Sequence, residues 1–267
     1  PSMLQHYFTF QYVPEPHTLT PGISVLEAAH YMTVNCNGRV QMKRYFSPDF
    51  QKPSEESFEE KAKKLRKILT ESVEYHMISD VEVGTFLSSG IDSAVITAIA
   101  SRLNPGIKAL TVGFDVASYS EVDDAHEIAK HLNVDHIVLK GNCQQFRDAF
   151  EKVVFALDSP VADPSTVAIY MIAREAASHV KVMLSGEGSD ELFAGYKTYR
   201  DSLGAGRFED APGFVKTACR GLSHVIPDGV KGKNFLMRAG MPLEERYVGN
   251  AFLFNEKQKK AFLKCYN

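Results

Sequence analysis

Val81-Glu-Val-Gly-Thr-Phe-Leu-Ser-Ser-Gly-Ile-Asp-Ser93 decides how this chain is read. An apolar strand runs into two serines, a glycine and an acid, and the apolar helix pattern Ala94–Leu103 follows at once. Strand, tight polar turn and helix together aim free backbone N–H groups and a helix N-terminus at an anion. Ser88, Ser89 and Ser93 add hydroxyls to the same concavity, and Gly90 lets the backbone approach a ligand closely. The stretch predicts a phosphate or pyrophosphate site. Neither G-x-x-x-x-G-K-[ST] nor G-x-G-x-x-G occurs, so the two common nucleotide loops do not explain it. Ser, Gly and Asp are also the ordinary residues of turns and caps, and the loop alone leaves that plainer reading open.

A second segment repeats the layout. Val180-Lys-Val-Met-Leu-Ser-Gly-Glu-Gly-Ser-Asp-Glu-Leu-Phe-Ala-Gly-Tyr196 is a short apolar strand, a small-residue turn, several acids and a helical start. Two such strands in one parallel sheet place both turns at the same carboxyl edge, where open α/β sheets bind ligands. Asp92 and Asp190 would then face one another across a triphosphate and share Mg²⁺, a cation that takes one or two carboxylates plus phosphate oxygens. Each acid also has a plainer reading, as a cap or first-turn acid favoured by the helix macrodipole.

The first loop resembles the S-G-G-x-D-S pyrophosphate loop of the ATP pyrophosphatases, with Ser89 at the position of the first glycine. Both segments together resemble the synthetase domain of the glutamine-hydrolysing asparagine synthetases, Ser-Gly-Glu-Gly-Ser-Asp-Glu at 185–191 being the more specific match. Leu110-Thr-Val-Gly-Phe-Asp115, Asp158-Ser-Pro-Val-Ala-Asp-Pro-Ser165 and Pro242-Leu-Glu-Glu-Arg-Tyr-Val-Gly-Asn250 extend the resemblance from about Ser57 to about Phe262. It implies an α/β fold, a doubly wound parallel sheet of the adenine nucleotide alpha hydrolase-like kind, with a small β remnant before it and a helical part after it. It also implies a reaction: ATP and Mg²⁺ activate the β-carboxylate of aspartate, and ammonia from glutamine displaces AMP to give asparagine. A β-lactam-synthetase-like enzyme, another ATP pyrophosphatase and a non-catalytic nucleotide-binding relative are the alternatives.

The resemblance carries particular residues with it. Ser185 and Gly186 match positions that contact the nucleotide. Phe86 or Leu87 with Val112 are candidates for the apolar slot of the adenine, and Gly113 ends the same strand. Glu187 matches a glutamate implicated in catalysis, which would take a proton from the attacking ammonia; Glu191 is its alternative. Asp158, Asp163 and Ser165 lie in a loop that either caps the next helix or meets the aspartate substrate.

Composition agrees with a cytoplasmic enzyme. The 267 residues are 44% hydrophobic, enough for one sizeable α/β core and a smaller unit. A net charge of -3 gives no footprint for nucleic acid or an anionic membrane. Cys36, Cys143, Cys219 and Cys265 lie far apart without any C-x-x-C, as free thiols do in a reducing compartment. No apolar run approaches the length of a membrane span. His126, His131 and His136 show no metal-ligand spacing and read as ordinary satisfied histidines. A homodimer is compatible with all of this.

Three parts follow. Residues 1–50 hold extended apolar pieces and an Asn37-Gly38 hairpin signal of type I′. By resemblance they are the remnant of a glutaminase domain whose N-terminal cysteine nucleophile has no counterpart at Pro1, and the fragment is expected to turn over poorly by itself. Residues 51–267 form the ATP-binding domain, entered through a polar linker at 48–56. There Ser57-x-x-Glu60 opens an amphipathic helix, and strands 81–88, 107–114, 134–140 and 180–184 alternate with helices 92–103, 121–132, 143–157 and 165–179.

Overall fold

In chain order the elements are α1 (Ser2–Phe10), β1 (His30–Val34), β2 (Val40–Arg44), α2 (Phe58–His76), β3 (Val83–Phe86), α3 (Ile91–Leu103), β4 (Lys108–Phe114), α4 (Val122–Leu132), β5 (Asp135–Gly141), α5 (Cys143–Ala156), α6 (Ser165–Ala176), β6 (Val182–Leu184), α7 (Ser189–Phe193), α8 (Lys197–Gly204), α9 (Gly213–Val225), α10 (Lys233–Ala239) and α11 (Glu256–Phe262). The computed structural model describes residues 2–49, 54–114, 121–227, 230–241, 253–254 and 256–264. The Pro242–Asn250 motif and Asp115 lie outside the described residues. Tyr12–Glu187 make one compact unit; Pro1–Gln11 and Gly188–Asn267 make a second.

The first unit holds the antiparallel pair β1-β2 and the expected α/β sheet, whose four strands are all parallel in the order β5-β4-β3-β6. Alternation along the strands sorts its two faces. Leu87 and Ala109 pack against Ala125 and Ala129 of α4 on one side. Leu110, Phe86 and Val112 pack against Ile172 and Ala176 of α6 on the other. Burying a side chain as fully as Leu110, 1% exposed, contributes about 1.5–3 kcal/mol. Helices on both faces make the sheet doubly wound.

Local chemistry places the helices. Ser57 and Glu60 close a capping box at the start of α2, and Asn142 and Gln145 close another at α5. Asp163 accepts a hydrogen bond from the Ser165 N–H at 2.9 Å, the capping alternative for that loop. Asn133 ends α4 in the left-handed conformation, which a short polar side chain tolerates.

Two expectations for the N-terminal region are corrected. The hairpin turn is not type I′, which requires positive φ at both central residues. Only Gly38, at φ 74, is left-handed; the Gly38 N–H donates to the Asn35 carbonyl, and Asn35 Oδ1 accepts from the N–H groups of Asn37 and Arg39. This is a type I turn closed by a left-handed glycine, and the Asn35 side chain selects it by holding the loop from within. Residues 2–10, inside the stretch read only as extended apolar pieces and a hairpin, are helical. Phe8 of α1 lies edge-on to Phe254 and Phe262 in the second unit, and Lys259, 4% exposed, donates to Thr9 Oγ1. The helix draws its stability from residues about 250 positions away, beyond the reach of local pattern.

In that second unit α9 and α10 pack so closely that a β-carbon on Gly240 would stand 2.8 Å from the Lys216 carbonyl oxygen. Among the described residues no helix is long and apolar enough to cross a membrane.

Candidate nucleotide site

Strand order locates the site. Chain order runs outward from β3 through β4 to β5, then returns to place β6 on the other side of β3. The carboxyl ends of β3 and β6 therefore flank a topological switch point, the usual ligand crevice of such sheets. The parallel register Val83↔Val182 to Thr85↔Leu184 releases residues 87–90 and 185–187 side by side. Both glycine-and-acid turns read from the sequence emerge at this edge.

The two turns touch. A β-carbon on Gly186 would lie 3.0 Å from both the carbonyl carbon and Cβ of Asp92, and 3.1 Å from the Ser93 nitrogen. Only hydrogen fits there without a shift, so the missing side chain is what lets the second turn lie against the first turn of α3.

Within the first loop the hydroxyls divide their work. The Ser88 N–H donates to Ser93 Oγ at 3.0 Å, and the Gly90 N–H donates to Ser88 Oγ at 3.1 Å. Ser88 and Ser93 thus shape the turn rather than simply lining it. Ser89 Oγ has no protein partner among the described residues, and no side chain caps α3 at Gly90. The first-turn amides of α3 keep their capacity to bind an anion. The Ser89 N–H donates at 3.2 Å to the carboxylate of Glu121, just ahead of α4.

The carboxylates differ in setting. Asp92 is half-buried in the first turn of α3, Glu187 is exposed, and neither makes a hydrogen bond or ion pair among the described residues. In the second unit Asp190 stands in the first turn of α7, also unpaired, and its carboxylate folds back so that a β-carbon on Gly195 would overlap it. Glu191 accepts from the Tyr196 hydroxyl at 2.8 Å. Leu192 and Phe193 are exposed, so the apolar run after these acids does not bury them. Unpaired carboxylates fit a hard cation that takes few protein oxygens. Among the described residues no three His, Cys, Asp or Glu side chains gather as a ligand cluster.

The apolar candidates separate by face. Leu87 is 2% exposed in the α4-facing core, so only its backbone borders the loop. Phe86 and Val112 are partly buried against the α6-facing cluster. Gly113 is buried in β4 beside them, Ser185 is exposed, and Gly186 is half-buried.

Four residues near this edge are not among the candidates that the sequence offers: Glu121, Thr111, His136 and His126. The Thr111 hydroxyl donates to the Leu87 carbonyl at 2.6 Å and meets His136 Nε2 at 2.8 Å. Its single hydrogen is committed to Leu87, so His136 Nε2 is the donor in that second bond. His136 Nδ1 is then an acceptor, 3.3 Å from His126 Nδ1. Burial, and secondarily the neighbouring His126, push the His136 pKa below its ordinary 6.5. A histidine depressed on folding stabilises the fold fully above the unfolded value. That contribution is lost as pH falls from about 6.5 towards the folded value. Urea midpoints should therefore fall on acidification below pH 6.5, and fall less in His136→Gln. Parallel pH profiles for the two proteins would contradict this.

The chain matches the family model described as asparagine synthase over residues 64–261. It is 41% identical over 264 residues to asparagine synthetase [glutamine-hydrolyzing] 1 of Bacillus subtilis, a match covering 99% of this chain and 42% of that protein. It is 40% identical over 263 residues to a putative asparagine synthetase [glutamine-hydrolyzing] of Mycobacterium bovis, covering 97% of this chain and 40% of that one. Among solved structures, the NH3-dependent NAD synthetase from Campylobacter jejuni aligns with a TM-score of 0.36 and 20% identity over 53% of this chain and 61% of that one. The chain spans about two fifths of the length of the curated relatives it matches. The family model runs through all four parallel strands and both glycine-and-acid turns, and the chain belongs to the asparagine synthase family.

Proposed function

We propose that this chain is the ATP-using part of an asparagine synthetase. The observation that carries the reading is the seating of Gly186 on Asp92 and Ser93, which joins two acid-bearing turns at the switch point of a parallel sheet. The triphosphate lies along residues 88–93, its charge met by the amides of the first turn of α3 and by the Ser89 hydroxyl. Adenine rests near Phe86, Val112 and Gly113, with Ser185 and Gly186 along the nucleotide. Asp92 and Asp190 are the carboxylates that would hold Mg²⁺, and the ion would neutralise charge on the phosphates.

An oxygen of the aspartate β-carboxylate attacks the α-phosphorus, the bond to the bridging oxygen breaks, and pyrophosphate leaves. Ammonia drawn from glutamine then attacks the β-acyl carbon, and the bond to the phosphate oxygen breaks to release AMP. Glu187, exposed and unpaired, takes the proton that the nitrogen gives up. The chain's own contribution is placement and charge compensation.

Residues 1–50 fit the end of a glutaminase domain. The register Met32↔Met42 and Val34↔Val40 puts four apolar side chains on one face of the two-stranded sheet, all about half or more exposed. A two-stranded hairpin is at best marginally stable in water, and such a face calls for a covering sheet.

The test is stoichiometry. Offered ATP, aspartate and ammonia, the enzyme should form AMP, pyrophosphate and asparagine in equal amounts by mass spectrometry. Release of ADP and phosphate, or AMP formation without need of aspartate, would overturn the reading. AMP formation without a nitrogen donor, accompanied by a cyclised product, would assign the chain to ring-closing relatives instead.

A further inference from the structure

Strand β3 has to leave the sheet at one defined residue for the nucleotide loop to begin where it does. Its ladder with β4 continues through the Leu87 N–H, which donates to the Leu110 carbonyl at 2.8 Å. A continuing parallel ladder would next give the Leu87 carbonyl a backbone N–H of β4. It receives the Thr111 hydroxyl instead, at 2.6 Å. Thr111 is 2% exposed and Leu87 is equally buried, so no water competes for that carbonyl. The substitution of a hydroxyl for an amide is what frees the backbone to turn into Ser88.

A threonine hydroxyl rotates, and by itself it need not point at Leu87. His136 on β5 removes that freedom. Its Nε2–H donates into the threonine oxygen at 2.8 Å, so the hydroxyl hydrogen has only the Leu87 carbonyl as partner. His126 on α4 lies 3.3 Å from the other ring nitrogen, and the two rings meet tilted at 31°, 5.6 Å between centroids. The register Ala109↔His136 and the α4-facing packing of Ala109 put His136 on the face that α4 covers. Three elements thus converge on one carbonyl, immediately before the loop.

We infer that Thr111 and His136 are positioning residues for the nucleotide loop, His136 acting only through the Thr111 hydroxyl and His126 bracing the ring from behind. The inference rests on the proposed binding of ATP at residues 88–93. Nothing in it requires either side chain to touch the ligand.

Calorimetry of ATP·Mg²⁺ binding to the 267-residue chain tests it, at a temperature where circular dichroism shows each variant folded. Thr111→Val should weaken binding about fivefold to tenfold, the range expected for a lost buried hydrogen bond. His136→Leu should weaken it about threefold, because the hydroxyl survives but is no longer oriented. Thr111→Ser and His136→Gln keep the hydroxyl and the N–H donor, and should bind within about twofold of the parent.

The decisive variant is the double one. Thr111→Val with His136→Leu should bind no worse than Thr111→Val alone, since residues that act as one unit are not additive. Full additivity, or unchanged affinity in a folded Thr111→Val chain, overturns the relay. Should Thr111→Val not fold, His136 decides: loss with leucine and rescue with glutamine support the relay, and equal affinities overturn it. Should the parent bind no ATP, the functional reading falls separately. Amide hydrogen exchange at Ser88 and Ser89 then judges the relay, faster exchange in His136→Leu upholding it and unchanged exchange refuting it.

Discussion

Gly186→Val is expected to cost about a hundredfold in the proposed ATP-dependent turnover while leaving the sheet folded. A β-carbon at this position already stands 3.0 Å from the Asp92 backbone, and valine adds two methyl groups beyond it. The obstacle is the first turn of a helix, so relief comes from moving the 185–187 turn away from α3. Such overpacking costs typically about 1–3 kcal/mol. A misplacement of about 1 Å between groups that must act together costs on the order of a hundredfold in rate. Gly106→Ala is the control. Gly106 is left-handed at φ 84 with no atom near its missing β-carbon, and it lies at the opposite, amino end of β4. It should lower the urea midpoint without changing ATP affinity. A valine at 186 that leaves turnover and ATP affinity intact would show that the two turns do not grip one ligand.

Asp92→Asn and Asp190→Asn are each expected to weaken ATP binding about a hundredfold with Mg²⁺ present and not to weaken it in EDTA. Asparagine keeps the shape of aspartate and removes the charge proposed to hold the cation. Neither carboxylate has a protein partner among the described residues, so no buried ion pair is broken and the fold should tolerate the change. The cost as a first-turn acid is about 0.3–1 kcal/mol from the helix macrodipole. Without the cation the variants should bind ATP slightly better, because a negative charge beside the phosphates is gone. Equal losses with and without Mg²⁺ would make the two acids caps rather than ligands.

Most of the sheet was legible in the sequence because β3, β4 and β5 are bounded by their own turn and cap residues. Ser57 with Glu60, and Asn142 with Gln145, announce two of the helices in the same local way. The switch point was legible too, since one strand–turn–acid pattern occurs twice and a parallel sheet gives both copies the same edge. Three things were not. The helix Ser2–Phe10 depends on Phe254, Lys259 and Phe262, and no window of neighbouring residues contains them. The Asn37-Gly38 pair does not decide its turn, because the deciding residue is Asn35, whose side chain stabilises a wider loop. Thr111 and His136 were invisible as a pair because 25 residues separate them and β-strand register alone brings them together. Ser88 and Ser93 were found, but pattern cannot tell a hydroxyl that holds a loop from one that faces a ligand.

The place of β6 bears on how the protein comes to exist at all. Its partner β3 ends at Phe86, and Val182 opens β6 only after two further strands and four helices have been laid down. Closing so long an excursion costs chain entropy that is recovered only when the last strand docks. Until then Gly186 has no α3 to rest on, and a half-made chain shows only half a binding site. The ligand would thus be a late arrival in folding, unable to act as a template for the early sheet. Its stabilising effect should fall on the docking of β6, slowing the first opening of the finished protein more than it speeds assembly.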